Sequence, residues 1–204
     1  HAPLQYSAAL GLFNCGDISA CLGVITLLSD NPDPTLAAKA KLLRGRALAA
    51  NEAFDLAAES LNQVTSPPAP PTLRRAAEYR LARLALHQGK FAEAELALRQ
   101  LAVQEGAPDG ASETLLQTLI HSGQTGAAVE LIESSASRMD SHSLRHATEL
   151  LFELNQAEPL ELLHRHWATS PNPSIFKELL NQILIAGGAA GAEKLLTDYR
   201  SRFG

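Results

Sequence analysis

LARLALHQGKFAEAELALRQL, residues 81–101, holds two amphipathic segments on either side of a glycine. Phe91 follows Gly89 by two residues, and Ala94, Leu98 and Leu101 follow Phe91 by three, seven and ten. Those offsets place the apolar side chains on one face of a helix. The residues before Gly89 form a second amphipathic run, and glycine accepts the positive φ that closes a tight turn at little cost. The stretch therefore predicts a helical hairpin.

The same pattern recurs along the chain. NEAFDLAAESLNQV sets Phe54, Ala57, Leu61 and Val64 at the same offsets, and CGDISACLGVITLL sets Ile18, Cys21, Ile25 and Leu28. Downstream, Thr125, Ala128, Ile132 and Ser135 follow the scheme, then Ala157, Leu160, His164 and Trp167, then Ala189, Ala192, Leu196 and Tyr199. The anchors 18, 54, 91, 125, 157 and 189 are separated by 36, 37, 34, 32 and 32 residues. Six copies at a near-constant period predict an all-α solenoid of stacked helix-turn-helix repeats, about twelve antiparallel helices in one domain over residues 1–204. The early copies match closely and the last two are degenerate.

The small residue three after the anchor (Cys21, Ala57, Ala94, Ala128, Ala192) marks a close approach of two helices, where a larger side chain would push them apart. Gly16, Gly89 and Gly123 are expected to close the turns. TSPPAPPT, residues 65–72, cannot continue a helix, because each proline removes a donor and fixes φ. It reads as an extended connection between the second and third hairpins, with a domain boundary as the alternative.

Composition agrees. The chain has 204 residues, 46% hydrophobic and only 5% aromatic, with Ala and Leu, both strong helix formers, supplying most of the apolar content. No sustained strand alternation is present. A net charge of −5 and the lack of any long Lys/Arg block argue against nucleic acid. The longest apolar runs are too short to cross a bilayer, so a soluble chain is expected, with the cytoplasm favoured over the periplasm. The chain begins at His1, as expected of a processed or truncated protein or of one carrying a cloning residue. Cys15 and Cys21 are expected to be free; a local disulfide between them would instead imply an oxidising compartment.

Leu81, Ala82, Gly89, Phe91, Ala94 and Leu98 resemble the signature of the tetratricopeptide repeat, which has Leu, small, Gly, aromatic, Ala and aromatic residues in those places. Gly45, Phe54 and Ala57 match in the second copy, and CGD precedes Ile18 in the first. The resemblance is good over residues 3–105. It weakens over 106–204, where the small residue of the first helix becomes Leu116, Thr148 and Leu180. It implies a right-handed superhelix that binds a protein or peptide partner in a concave groove lined by first-helix residues. Transferred to this chain, the groove positions are Tyr6, Leu10 and Phe13, then Lys39, Leu42 and Arg46, then Tyr79, Arg83, Leu86 and His87, and further on Glu113, Gln117, His121, Arg145 and Glu149. The N-terminal half of that groove is apolar and basic, suited to an extended or helical segment with acidic and apolar side chains. Tyr79 and Arg83 are expected near its centre. Pairing of Arg46 and Arg83 with Glu52, Glu59 or Glu95 is the competing expectation. The carboxylate clamp of the chaperone-adaptor members is absent, since its Asn positions hold Leu10 and Arg46.

Little in the sequence points to catalysis. His142 and His146 share a helical face, with His164 and His166 further on, but a solvated or packed histidine accounts for each. GGAAGAEK, residues 187–194, lacks the strand that precedes a phosphate loop. The expectation is a non-catalytic scaffold or adaptor without cofactor or metal, in a bacterial assembly or secretion apparatus. The alternatives are a chaperone shielding an apolar client segment before export, and a scaffold that self-associates through its ends.

Overall fold

The computed structural model describes residues 1–135, apart from 105 and 109, and positions 193, 194, 196, 197, 200 and 201 near the C-terminus. Eight helices are defined: α1 Ala2–Asn14, α2 Ile18–Thr26, α3 Pro34–Ala50, α4 Phe54–Asn62, α5 Pro71–His87, α6 Phe91–Ala102, α7 Ala111–His121 and α8 Thr125–Ser135. There is no strand among the described residues. The second helix of each hairpin begins at Ile18, Phe54, Phe91 and Thr125, the four expected anchors. The copies anchored at 157 and 189, with Arg145, Glu149 and the four downstream histidines, lie outside the described residues.

Starts and stops follow from local chemistry. Proline sits in the first turn of α1, α3 and α5, where its missing N–H costs nothing. Asp17 and Asp33 cap α2 and α3, each carboxylate accepting a backbone N–H, from Ala20 at 3.0 Å and Thr35 at 2.9 Å. Each first helix ends in one repeated hydrogen-bond pattern. The amides of Asp17, Ala53, Lys90 and Gln124 donate to the carbonyls of Leu12, Leu48, Ala85 and Leu119 at 2.9–3.0 Å. The residue before each of these amides is left-handed: Gly16 at φ 81°, Glu52 at 58°, Gly89 at 72° and Gly123 at 75°. This is the Schellman stop, and the second copy makes it without glycine.

The hairpins close on small residues and on a ladder of larger ones. Cys21, Ala57, Ala94 and Ala128 are fully buried, as are Ile25 and Leu98, with Leu61 1% exposed. Leu28, Val64 and Leu101 complete the ladder. On the first helices, Ala9, Gly45 and Ala82 face this ladder's level, and all three are buried. A Cβ on Gly45 would lie 2.6 Å from Leu61 Cγ and 3.3 Å from the Ala57 carbonyl oxygen, so α3 and α4 approach as closely as glycine permits. Ser60 fixes the same crossing by donating to the Lys41 carbonyl at 3.0 Å.

The first hairpin packs on the second and the second on the third, α2 against α3 and α4 against α5. The first helices also touch in sequence, α1 with α3 and α3 with α5, and so share one face. The proline-rich stretch, which buries Ala69 in the core with Leu61 and Val64, links α4 to α5. Cys15 is exposed and Cys21 buried, and they are not bridged. The chain divides into two compact units, His1–Leu115 and Leu116–Gly204. No helix among the described residues is long and apolar enough to cross a membrane.

Candidate functional site

The face shared by α1, α3 and α5 holds a cavity of about 190 Å³, lined by Phe13, Gly45, Arg46, Ala49, Leu61, Arg80, Arg83, Leu84 and His87. Its floor is the close α3–α4 crossing, where the missing Cβ of Gly45 leaves Leu61 in view. Its walls include three arginines. Arg46 lies on the Phe13 ring, 4.5 Å from its centroid, so a residue from the preceding hairpin orients it. Arg83 stands 6.0 Å from the Tyr79 ring centroid. Arg80 is half-buried between them in sequence and in charge. Burial first, and then the like charges of Arg46 and Arg83, hold its pKa down to about 10.

No carboxylate among the described residues comes within ion-pair distance of these arginines; the ion pair formed is Arg99 with Glu95, at 2.9 Å. Pairing with Glu52, Glu59 or Glu95 is therefore not what the structure shows. Glu52 is used instead at the turn, in its left-handed conformation.

Four of the expected groove residues thus meet in one cavity: Phe13, Arg46, Arg83 and His87. Tyr6 and Leu10 pack, partly buried, against the core beside Phe13. Burial pushes the Tyr6 hydroxyl's pKa up, against the pull of Arg46. Lys39 is exposed and Leu86 half-buried, both outside the cavity lining. Leu42 belongs to the core rather than the surface: it is 8% exposed and packs with Ala38, Leu61 and Val64. The reason is that α3 is the middle first helix, packed by α1, α2, α4 and α5, so little of its circumference is free. Tyr79 is engaged within the chain. Its hydroxyl shares a 2.9 Å hydrogen bond with Thr114 and lies against Gly110, while Arg75 donates to the Gly106 carbonyl at 3.1 Å. Together they tie α5 to the loop before α7 and to the first turn of α7.

Arg80 was not among the expected groove residues. Repeat alignment hides it, because its counterpart in α3 is Leu43, a core residue 1% exposed. The signal was helical spacing: Arg80 and Arg83 are three apart, and so neighbours on one face. A second cavity, about 340 Å³, lies at the loops before α3 and α5 and carries Asp30 and Lys41, whose charges offset.

Stacked helical hairpins with a basic, partly apolar face define a helical-repeat binding domain. The pattern that defines the tetratricopeptide repeat-like domain matches residues 6–112, just over half of the chain, and the protein belongs to that family. Domains of this kind mediate protein–protein interactions. Two crystal structures of nearly identical TPR-like repeats from a candidate kinesin light chain of Podosopora anserina are similar in fold. One, a point-substituted form, is 19% identical at a TM-score of 0.53, covering 98% of this chain and 92% of that one. The other is 19% identical at 0.54, covering 98% and 95%. At that identity the likeness concerns the fold. No curated protein matches the chain significantly.

Proposed function

We propose that the protein is a non-catalytic scaffold that holds a partner segment carrying acidic and apolar side chains on the face of α1, α3 and α5. The observation that carries this reading is the cavity with three arginines and no carboxylate among the described residues of its lining. Uncompensated like charges in a partly buried site are costly, and an anionic group from outside relieves the cost. Phe13, Ala49 and Leu84 supply apolar wall beside the charges, the mixture found at the centre of peptide-binding surfaces. The centre of the docking face is accordingly Arg46, Arg80 and Arg83, with Tyr79 at its margin. A chaperone shielding an apolar segment has less support, because Leu42 is withdrawn into the core and charge dominates what remains.

The test is capture of a partner with this chain, identification of the bound segment, and titration against variants. Arg46→Ala combined with Arg83→Ala is expected to weaken binding by more than about 1 kcal/mol with the helical content unchanged. Unaltered affinity in the double variant would place the interface on the second helices or beyond Leu115.

A further inference from the structure

Resting on that docking face, we infer that the Arg46–Arg80–Arg83 cavity is a site for a doubly charged oxyanion, a phosphoryl group carried on a partner's side chain. Charge comes first. Three arginines line one cavity, and no described carboxylate comes within ion-pair distance of them. One carboxylate would bring a single negative charge and two oxygens, whereas a phosphoryl brings about −1.5 to −2 at neutral pH and three acceptor oxygens. Arginine forks match that geometry, each offering paired N–H donors along a fixed plane. The arginines come from two neighbouring hairpins, Arg46 on α3 and the other two on α5, so they can approach an oxyanion from different sides.

Size agrees with such a ligand. About 190 Å³ corresponds to roughly six waters at about 30 Å³ each. That holds a phosphoryl on a short side chain, and the open side of the cavity lets the rest of the ligand stay outside. A phosphodiester carries one charge per phosphate, and the strand bearing it would meet a chain of net charge −5. Arg46 is already held on Phe13, which reduces the ordering that binding requires. Burial first, and then the like charges of Arg46 and Arg83, hold Arg80's pKa down to about 10, and a dianion offsets those like charges more fully than a monoanion.

Calorimetric titration of the full chain at matched ionic strength tests this, with N-acetyl-O-phosphoserine N-methylamide, N-acetylaspartate N-methylamide and inorganic phosphate as probes. The phosphoserine probe is expected to bind at least about tenfold tighter than the aspartate probe, and inorganic phosphate to compete with it. Arg80→Lys keeps the charge and removes the fork, and is expected to weaken the phosphoserine probe about tenfold while circular dichroism stays the same. Equal affinity for the two side-chain probes, or phosphoserine binding indifferent to Arg80→Lys and to Arg46→Ala, overturns the inference. If partner binding is then still lost in the Arg46→Ala, Arg83→Ala variant, the docking face stands and only the phosphoryl assignment fails. If the phosphoserine probe binds in the cavity while the partner ignores that double variant, the docking face fails, and with it the assignment of the phosphoryl to a partner.

Discussion

Glu52 does at the second turn what glycine does at the first, third and fourth. The four turns share one hydrogen-bond pattern, so the backbone demands φ near +60° whatever residue is present. For a residue with a Cβ that conformation costs roughly 1–2 kcal/mol. Glu52→Gly is expected to raise the unfolding free energy read from urea titration by about 0.5–1 kcal/mol, the gain being trimmed by glycine's greater freedom in the unfolded chain. Gly89→Ala is expected to lower it by about 1 kcal/mol. No change in either variant would mean that these turns already relax out of the left-handed region. Arg80 is the other costly residue. Its folded-state pKa lies below the ordinary arginine value, so the fold holds that proton less well than the unfolded chain does, and the charged side chain destabilises the empty protein at neutral pH. Arg80→Met keeps most of the apolar stem and removes the charge. It is expected to stabilise the free protein by a few tenths of a kcal/mol at low salt, screening by solvent keeping the effect small. The gain should fade at high salt, and a destabilised variant at low salt would show that Arg80 is compensated.

At the scale of elements, the hairpin register was legible because each helix pair meets at a point where only a small side chain fits. That restriction wrote Cys21, Ala57, Ala94 and Ala128 into the sequence at a fixed offset, and all four are fully buried. The turns were legible where glycine marked them and hidden at Glu52, since nothing in a glutamate announces a positive φ. The site was half legible. Arg46 and Arg83 are repeat equivalents, and comparing copies exposes them; Arg80 breaks the repeat, so the same comparison conceals it. Leu42 was misplaced because the pattern identifies a helix face but does not say how many neighbours crowd that helix. The tightest crossing offers the sharpest check. Gly45→Ala puts a methyl group against a fully packed Leu61 and the Ala57 carbonyl, and is expected to cost about 1–3 kcal/mol. Adding Leu61→Ala makes room, so the double variant should lose less than the two single losses together. Simple additivity in denaturant titrations would deny that the two residues touch.

At the scale of the whole molecule, the consequence of stacking is that stability passes from each hairpin to its neighbour. Within His1–Leu115, α2 packs on α3 and α4 on α5, and the core clusters follow that order: Ala9, Cys21, Ile25 and Leu43 in one, Leu42, Leu61, Val64 and Ala77 in the next. In such an array the free energy is close to a sum of repeat terms and nearest-neighbour interface terms. A disturbance in one hairpin should therefore be felt most strongly there and fade with distance. Ala94 is the place to apply one, because it is fully buried on α6 at the third hairpin's closest approach. Ala94→Leu overpacks that contact and is expected to cost on the order of 1–3 kcal/mol. Native-state hydrogen exchange should then show the largest loss of protection in α5 and α6, less in α3 and α4, and least in α1 and α2. The arginine-lined cavity would register the same gradient, since Arg80 and Arg83 stand on the disturbed hairpin while Arg46 and Phe13 stand on the earlier ones. Equal loss of protection in all six helices would instead show that the N-terminal unit opens as one cooperative body, and that the proposed binding face forms or disappears as a whole.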